Sequence, residues 1–408
     1  MAGAQRSDRS TWGLLTDRHF GPFLLGKTLS FTGVWIHNVV AAVLAWQLTH
    51  SATWVAIVSV AQFAPQIVLA PIAGPLADRA SRARLVAYGR VFCLLGSGGL
   101  ALWVWVAGYD RIEIWAVLLT TLTLGVGFAV SGPAMQAMVS DLVEPSEVGR
   151  AVALDTMPTM LGRAVGPAIG ALLAAFVGPA AALAVAAGGH LAFGIIAALL
   201  SRRERPHEVS TGGGGFREGL AYVRSNPVVI FLLLGVTAVG MGADPVVTLA
   251  PAIADGLGGG QALVGFLGSA FGAGAVVGGV VSTLSGGGSR AAAAPAFGLL
   301  VLGLGLSAVP LTQTPWAVSA CFGVAGLGFT IALSGCTAML HRVVPAGVRG
   351  RVMSLWLVAF LGTRPIASVV DGVLADSFGV STALVVLGLG VAATGVLCSP
   401  RVLTRMTR

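Results

Sequence analysis

Gly74-Pro75-Leu76-Ala77-Asp78-Arg79-Ala80-Ser81-Arg82-Ala83-Arg84 is a short charged patch between two long apolar runs, residues 53–76 and 85–107. Each run approaches or exceeds the ~20 apolar residues that cross a bilayer core. A connector this short joins neighbours in space. The patch therefore reads as the turn of a hairpin made of two membrane-spanning helices.

The rest of the chain repeats that pattern. Only 10% of the 408 residues are charged and 56% are hydrophobic, with a mean hydropathy of +0.89. A soluble domain with this composition could not solvate its surface. Twelve apolar stretches of spanning length fall at roughly 20–47, 53–76, 85–107, 114–139, 148–174, 179–200, 227–254, 262–285, 291–309, 315–339, 348–374 and 379–398. The first run is too long for a cleaved signal peptide and reads as the first span.

The net charge of +8 raises nucleic acid as a partner, and its distribution argues against one. Arg6, Arg9, Arg18, Arg79, Arg82, Arg84, Arg150, the run Arg202–Arg224, Arg290, Arg342, Arg349, Arg351, Arg401, Arg405 and Arg408 all fall on one side of a twelve-span topology. Only Arg111 lies in a loop on the other side. This positive-inside bias places both termini in the cytoplasm, and anionic lipid is a partner for the basic residues. Cys93, Cys321, Cys336 and Cys398 lie inside apolar stretches without paired spacing and read as packing residues, not as a disulfide framework or metal site.

Midway, Arg202-Arg203-Glu204-Arg205, Gly212-Gly213-Gly214-Gly215 and Asn226-Pro227 interrupt the pattern. We expect a six-helix half over 1–200, a cytoplasmic linker over 201–226 with a short amphipathic helix at 216–224, and a second six-helix half over 227–408. The halves repeat each other. Gly125-Val126-Gly127-Phe128 recurs as Gly326-Leu327-Gly328-Phe329, Val148-Gly149-Arg150 as Arg349-Gly350-Arg351, and Arg163 as Arg364. Two halves related by an axis along the membrane normal predict such an offset.

The pattern Gly74-x-x-x-Asp78-Arg79 resembles the cytoplasmic loop signature of the major facilitator superfamily of secondary transporters, with Ser81 and Ala83 as departures. Further stretches, such as Gly26-Lys27-Thr28-Leu29-Ser30-Phe31-Thr32-Gly33 and Arg163-Ala164-Val165-Gly166-Pro167-Ala168-Ile169-Gly170, resemble its enterobactin-exporter and macrolide-efflux branch. Gly162-x-x-x-Gly166-Pro167-x-x-Gly170 is similar to the fifth-helix motif of antiporters. The resemblance implies an all-α membrane fold of twelve transmembrane helices in two pseudo-symmetric halves. It implies proton-coupled export, and a conformational latch at Asp78, Arg79 and Arg82 that sets Asp78 against the start of the eleventh span near Val348.

An ionisable group within a membrane helix costs about 2.5–3.5 kcal/mol at the centre, so each is a functional candidate. Proton coupling falls to Asp155, Asp244 or His37, and the substrate cavity to Lys27, Asn38, Arg163 and Arg364. Relatives commonly carry an acid where Val34 stands, which moves the proton site elsewhere. Blander readings exist beside these. Asp155 and Arg163 can form a structural bridge, Asp244 can cap the helix after Pro245, and Lys27 can extend to the aqueous boundary. His37 and His190 can serve as interhelical hydrogen-bond contacts. Trp35, Phe63, Phe128, Met135, Met241 and Phe329 line a cavity or pack.

Gly21-Pro22-Phe23-Leu24-Leu25-Gly26-Lys27-Thr28 fits the phosphate-loop pattern, but its apolar interior enters a membrane span where no flexible loop can form. No nucleotide, metal or bound cofactor is expected, and no enzymatic activity. The expected function is proton-driven export of a small amphiphilic molecule, an antibiotic or a siderophore-like metabolite, by a monomer of the bacterial inner membrane. The alternatives are a proton symporter importing a small solute, and a non-transporting sensor or scaffold.

Overall fold

The computed structural model describes residues 9–108, 111–201, 216–284, 289–400 and 402. Among these every regular element is helical. In hydrocarbon a chain must satisfy its own backbone N–H and C=O groups, and helices do so within one segment. Eleven helical stretches are long and apolar enough to span a membrane, and a bent pair makes twelve.

The first span is Phe20–Thr49, preceded by a short helix Thr11–Leu15. The second breaks at Leu69 into Ala52–Val68 and Ala70–Arg79. The third, fourth and sixth are Arg82–Ala107, Ile114–Asp141 and Pro179–Ser201. The fifth is Val148–Asp155 followed by Met157–Phe176. After a helix Phe216–Ser225, the seventh runs as Pro227–Gly242, Pro245–Thr248 and Ala250–Gly256. The eighth, ninth and tenth are Gly260–Leu284, Ser289–Ala308 and Pro315–Val343. The eleventh is Ala346–Leu357, a π-helical turn Val358–Gly362, and Arg364–Phe378. The twelfth is Val380–Leu397. Within the linker, residues 202–215 lie outside the described residues.

Local chemistry explains the starts and breaks. Ser51, Ser81 and Thr314 accept hydrogen bonds from the N–H groups of Trp54, Arg84 and Ala317 and so cap three spans. Pro179, Pro227 and Pro315 open others, where a missing N–H costs nothing. The fifth, seventh and eleventh spans break just before Pro158, Pro245, Pro251 and Pro365. Proline removes one helical hydrogen bond and crowds the carbonyl four residues earlier. The single apolar run at 227–254 is thus three helical pieces.

The first, third, fourth, fifth and sixth spans pack among themselves, as do the eighth, ninth, tenth and twelfth. The two halves meet mainly along two seams, the fifth span on the eighth and the second on the eleventh. At the first seam, a Cβ on Gly265 or Gly272 would come within 2.6 Å of the Pro167 carbonyl oxygen or 2.5 Å of the Arg163 carbonyl oxygen. Such close approach needs glycine. The motif glycines act within one half: a Cβ at Gly162, Gly166 or Gly170 would strike Phe31, Trp35 or Ile36 of the first span. Gly74 has open space around it.

The second seam is uneven. At the end away from the arginine-rich loops, Ala52, Val55 and Ala56 are buried, and so are Ser368, Asp371, Gly372 and Ala375. Toward the arginine-rich end, Ile67, Val68 and Ile72 are exposed, as are Leu357 and Val358. The second span packs on the eleventh along Ala52–Val68, whereas its continuation Ala70–Arg79 packs chiefly on the fourth span of its own half, so the halves are closed at one end and part at the other.

Candidate functional site

The breaks in the fifth, seventh and eleventh spans carry Asp155, Asp244 and Arg364. A broken helix frees backbone groups and brings ionisable side chains to the middle of the bundle. Two ion pairs form there. Lys27 Nζ donates to Asp155 Oδ1 at 2.5 Å, joining the first span to the break in the fifth. The Lys27 side chain is 4% exposed and that of Asp155 16%. Lys27 does not extend to the aqueous boundary. Its ammonium lies 5.8 Å from the ring centres of Phe23 and Phe31.

Asp244 and Arg364 form the second pair, joining the seventh and eleventh spans at 3.7 Å from Nε to Oδ1. Asp244 Oδ2 accepts the hydroxyl of Thr248 at 2.9 Å and a short bond from Ser368. Asp244 begins the helix Pro245–Thr248, but its side chain does not cap it. It faces Arg364 and Ser368.

Arg163 joins neither pair. Its guanidinium lies 4.4 Å from the ring centre of Phe329, 4.8 Å from Phe271 and 5.3 Å from Trp35. Arg364 lies 4.2 Å from the centre of Phe63. The two arginines of the internal repeat thus each rest on aromatic rings of the opposite half. Desolvated cation–π contacts are worth about 2 kcal/mol.

His37 does not face this space. It is fully buried, and its ring nitrogens lie 3.1 Å from the hydroxyls of Ser97 and Thr121. Asn38, beside it, lines a mostly apolar pocket with Ala42, Val58, Ser59, Gln62 and Thr121 that has room for about one water. Its Oδ1 has no partner among the described residues. Of the sequence candidates, the structure brings together Lys27 with Asp155, and Asp244 with Arg364. It keeps Asp155 apart from Arg163.

Arg82 Nη1 lies 2.8 Å from both carboxylate oxygens of Asp141, so it ties the loop to the fourth span within one half. Arg79 is exposed and Asp78 half-buried. Ala70–Arg79 packs chiefly on the fourth span. At the opposite, closed end an aspartate joins the second and eleventh spans. Asp376 of the eleventh span accepts the hydroxyl of Ser51 at 2.6 Å and the N–H groups of Ala52 and Thr53 at 2.8 and 3.0 Å. It thereby caps the second span.

A family model described as "Transmembrane secretion effector", within the major facilitator group, matches residues 9–407. The chain belongs to the major facilitator superfamily. Macrolide efflux protein A of Streptococcus pyogenes is 23% identical over 357 residues, covering 86% of this chain and 87% of that protein. Enterobactin exporter EntS of Shigella flexneri is 27% identical over 354 residues, covering 84% and 82%. A solved structure of a bacterial homologue of the human lysosomal transporter Spinster, inward-facing and occupied, has a TM-score of 0.73 at 14% identity, covering 96% of this chain and 98% of that one. A POT family transporter in complex with a thioalcohol-conjugated peptide has a TM-score of 0.71 at 15% identity, covering 95% and 96%. The chain is therefore a multi-pass transporter of this superfamily and not an enzyme.

Among the described residues, two ionisable groups buried within the apolar runs, Arg90 and Asp371, escaped the reading of the sequence. Arg90, in the third span, donates to Ser30 at 2.8 Å and Ser131 at 2.5 Å and lies 4.4 Å from the centre of Phe128. Ser30 also bonds His190 Nδ1 at 2.8 Å. Arg90 thus knits one half together. Asp371, in the eleventh span, is fully buried. Both stand inside apolar runs, so the rule that singled out Asp155 applied to them equally.

Proposed function

We propose that this chain is a proton-coupled exporter of the bacterial cytoplasmic membrane that moves a small amphiphilic molecule, an antibiotic or siderophore-like metabolite, by alternating access. The arginine-rich end is the cytoplasmic end by the positive-inside rule, and both termini lie there. On that orientation the conformation described above is inward-facing. Export is supported by the likeness to a macrolide efflux protein and an enterobactin exporter.

The Lys27–Asp155 pair carries the proton-coupled reading. It lies at a break in the fifth span, buried on the Lys27 side and partly open on the Asp155 side. A proton on Asp155 cancels its attraction for Lys27 and frees the first span from the fifth. Loss of the proton restores the pair. One proton descending about 100 mV contributes about 2.3 kcal/mol, and one pH unit adds about 1.4 kcal/mol. Together they sustain a several-hundred-fold gradient of a neutral solute. The proton gradient is the energy source, and no bound cofactor enters the scheme. The working unit is a monomer in contact with lipid.

The test is flux in proteoliposomes holding the full-length protein, with a labelled macrolide and labelled enterobactin as probes. An imposed pH gradient should drive accumulation of one probe, and an uncoupler should abolish it. Gradient-independent flux of both would overturn proton coupling. Expression in an efflux-deficient bacterium should raise tolerance to the transported compound. Increased sensitivity would reverse the direction.

A further inference from the structure

Arg364, Ser368 and Asp371 lie at helical spacing on one face of Arg364–Phe378. Asp371 is 0% exposed, and neither of its carboxylate oxygens has a hydrogen-bond partner among the described residues. The elements around it supply almost no charge. The second span packs along this helix, and Ala52–Val68 contains no Asp, Glu, His, Lys or Arg. Neither do Val380–Leu397, Pro227–Gly242 and the turn Val358–Gly362, which also touch it. The seventh span brings Asp244 to the start of Pro245–Thr248, and Asp244 is the charged group that acts on Asp371. On its own helix, Arg364 is turned to Asp244 and Phe63, and Asp376 is taken up by Ser51, Ala52 and Thr53.

Two carboxyl groups of one site therefore stand in opposite surroundings. Asp244 has a guanidinium and two hydroxyl donors. Among the described residues Asp371 has neither counter-ion nor donor, a setting in which a carboxyl group is kept neutral. Such a pair divides the tasks of carrying charge and carrying a proton. We propose that Asp371 is a proton-binding residue of the transport cycle, protonated in this conformation. The idea rests on the proton-coupled reading above.

Its place at the closed seam indicates where the proton is taken up. Gly372, next in the chain, is so close to the second span that a Cβ there would lie 2.7 Å from Thr53 Cα and 2.8 Å from the Ala52 carbonyl oxygen. Extracellular water reaches Asp371 when that seam opens. The O–H bond then forms on one carboxyl oxygen as an O–H bond of hydronium breaks and leaves a water molecule. The carboxyl O–H bond breaks later in the cycle, when the proton returns to water on the cytoplasmic side.

The experiment is infrared spectroscopy of the full-length protein in lipid at neutral pH, combined with the proteoliposome flux described above. Asp371→Asn is nearly isosteric and neutral, so it should fold. Wild type should show the carbonyl band of a protonated carboxylic acid, and Asp371→Asn should lack it. The variant should lose pH-driven flux of the labelled probe while keeping exchange of labelled for unlabelled probe. A band that is absent from wild type, or that survives in the variant, overturns the proposal. So does wild-type pH-driven flux in the variant. Wild-type flux indifferent to pH, with the band present and lost in Asp371→Asn, would instead sink proton coupling and leave the proton on Asp371.

Discussion

The guanidinium carbon of Arg364 lies 4.2 Å from the ring centre of Phe63, so a cation of the eleventh span rests on an aromatic face of the second. The same guanidinium reaches Asp244 of the seventh. One side chain thus links three helices at the seam between the halves. Arg163 does the equivalent at the other seam, on Phe271 and Phe329.

Arg364→Gln should destabilise the protein by about 3–5 kcal/mol, because it leaves the Asp244 carboxylate buried without its cation. Adding Asp244→Asn should recover a good part of that loss. Thermal unfolding in detergent of the two single variants and the double variant measures the coupling. Strictly additive losses would mean that the 3.7 Å pair contributes nothing.

Asp155→Asn should abolish pH-driven transport and leave substrate exchange largely intact. The amide keeps a hydrogen-bonding group beside Lys27 but cannot take up or release the proton. Flux in proteoliposomes, with and without an imposed gradient, separates the two activities. Undiminished pH-driven flux would remove Asp155 from the coupling scheme.

Asp376→Ala should shift the population toward the outward-facing form. It deletes three hydrogen bonds that close the seam at Ser51, Ala52 and Thr53. A carboxylate at a helix start contributes up to about 2 kcal/mol when partly buried, and 1.4 kcal/mol is one decade in population. Labelling of a cysteine placed at Ala375, buried at this seam, should therefore speed up by up to about tenfold. Asp78→Asn, at the opposite end of the second span, should shift the population the other way, toward the inward-facing form, and slow labelling at the same position. Equal labelling in all three proteins would leave both aspartates without a gating role.

Asp17 makes stability depend on acid. Its partial burial opposes the charge, but the N–H groups of Phe20 and His19 together with Arg9 outweigh that and hold its carboxyl below the usual carboxylate range. Arg9 in turn is bound by Glu147 at 2.7 Å. A carboxyl lowered on folding stabilises the protein above its unfolded value, about 3.9, and that contribution is lost as pH falls through the lower, folded value. Melting temperature should drop as the buffer is taken below about pH 4, and Asp17→Asn should lose less across that window. Identical acid profiles would assign the effect to other carboxyls.

The spans of this protein, and its internal repeat, were legible in the sequence. Apolar runs of bilayer length are a local property, and so are the charged connectors that end them, because each helix satisfies its own backbone without consulting its neighbours. The helix breaks were legible in principle too, since each follows from a proline nearby. Which ionisable groups meet was not. Lys27 and Asp155 are separated by 128 positions and Ser51 and Asp376 by 325, and only the packing of whole helices decides such pairs. An aspartate inside an apolar run at 371 can be read from the chain. That it has no donor and no counter-ion among the described residues is decided by the second, seventh and twelfth spans around it, because the state of a buried charge depends on what the tertiary structure sets against it.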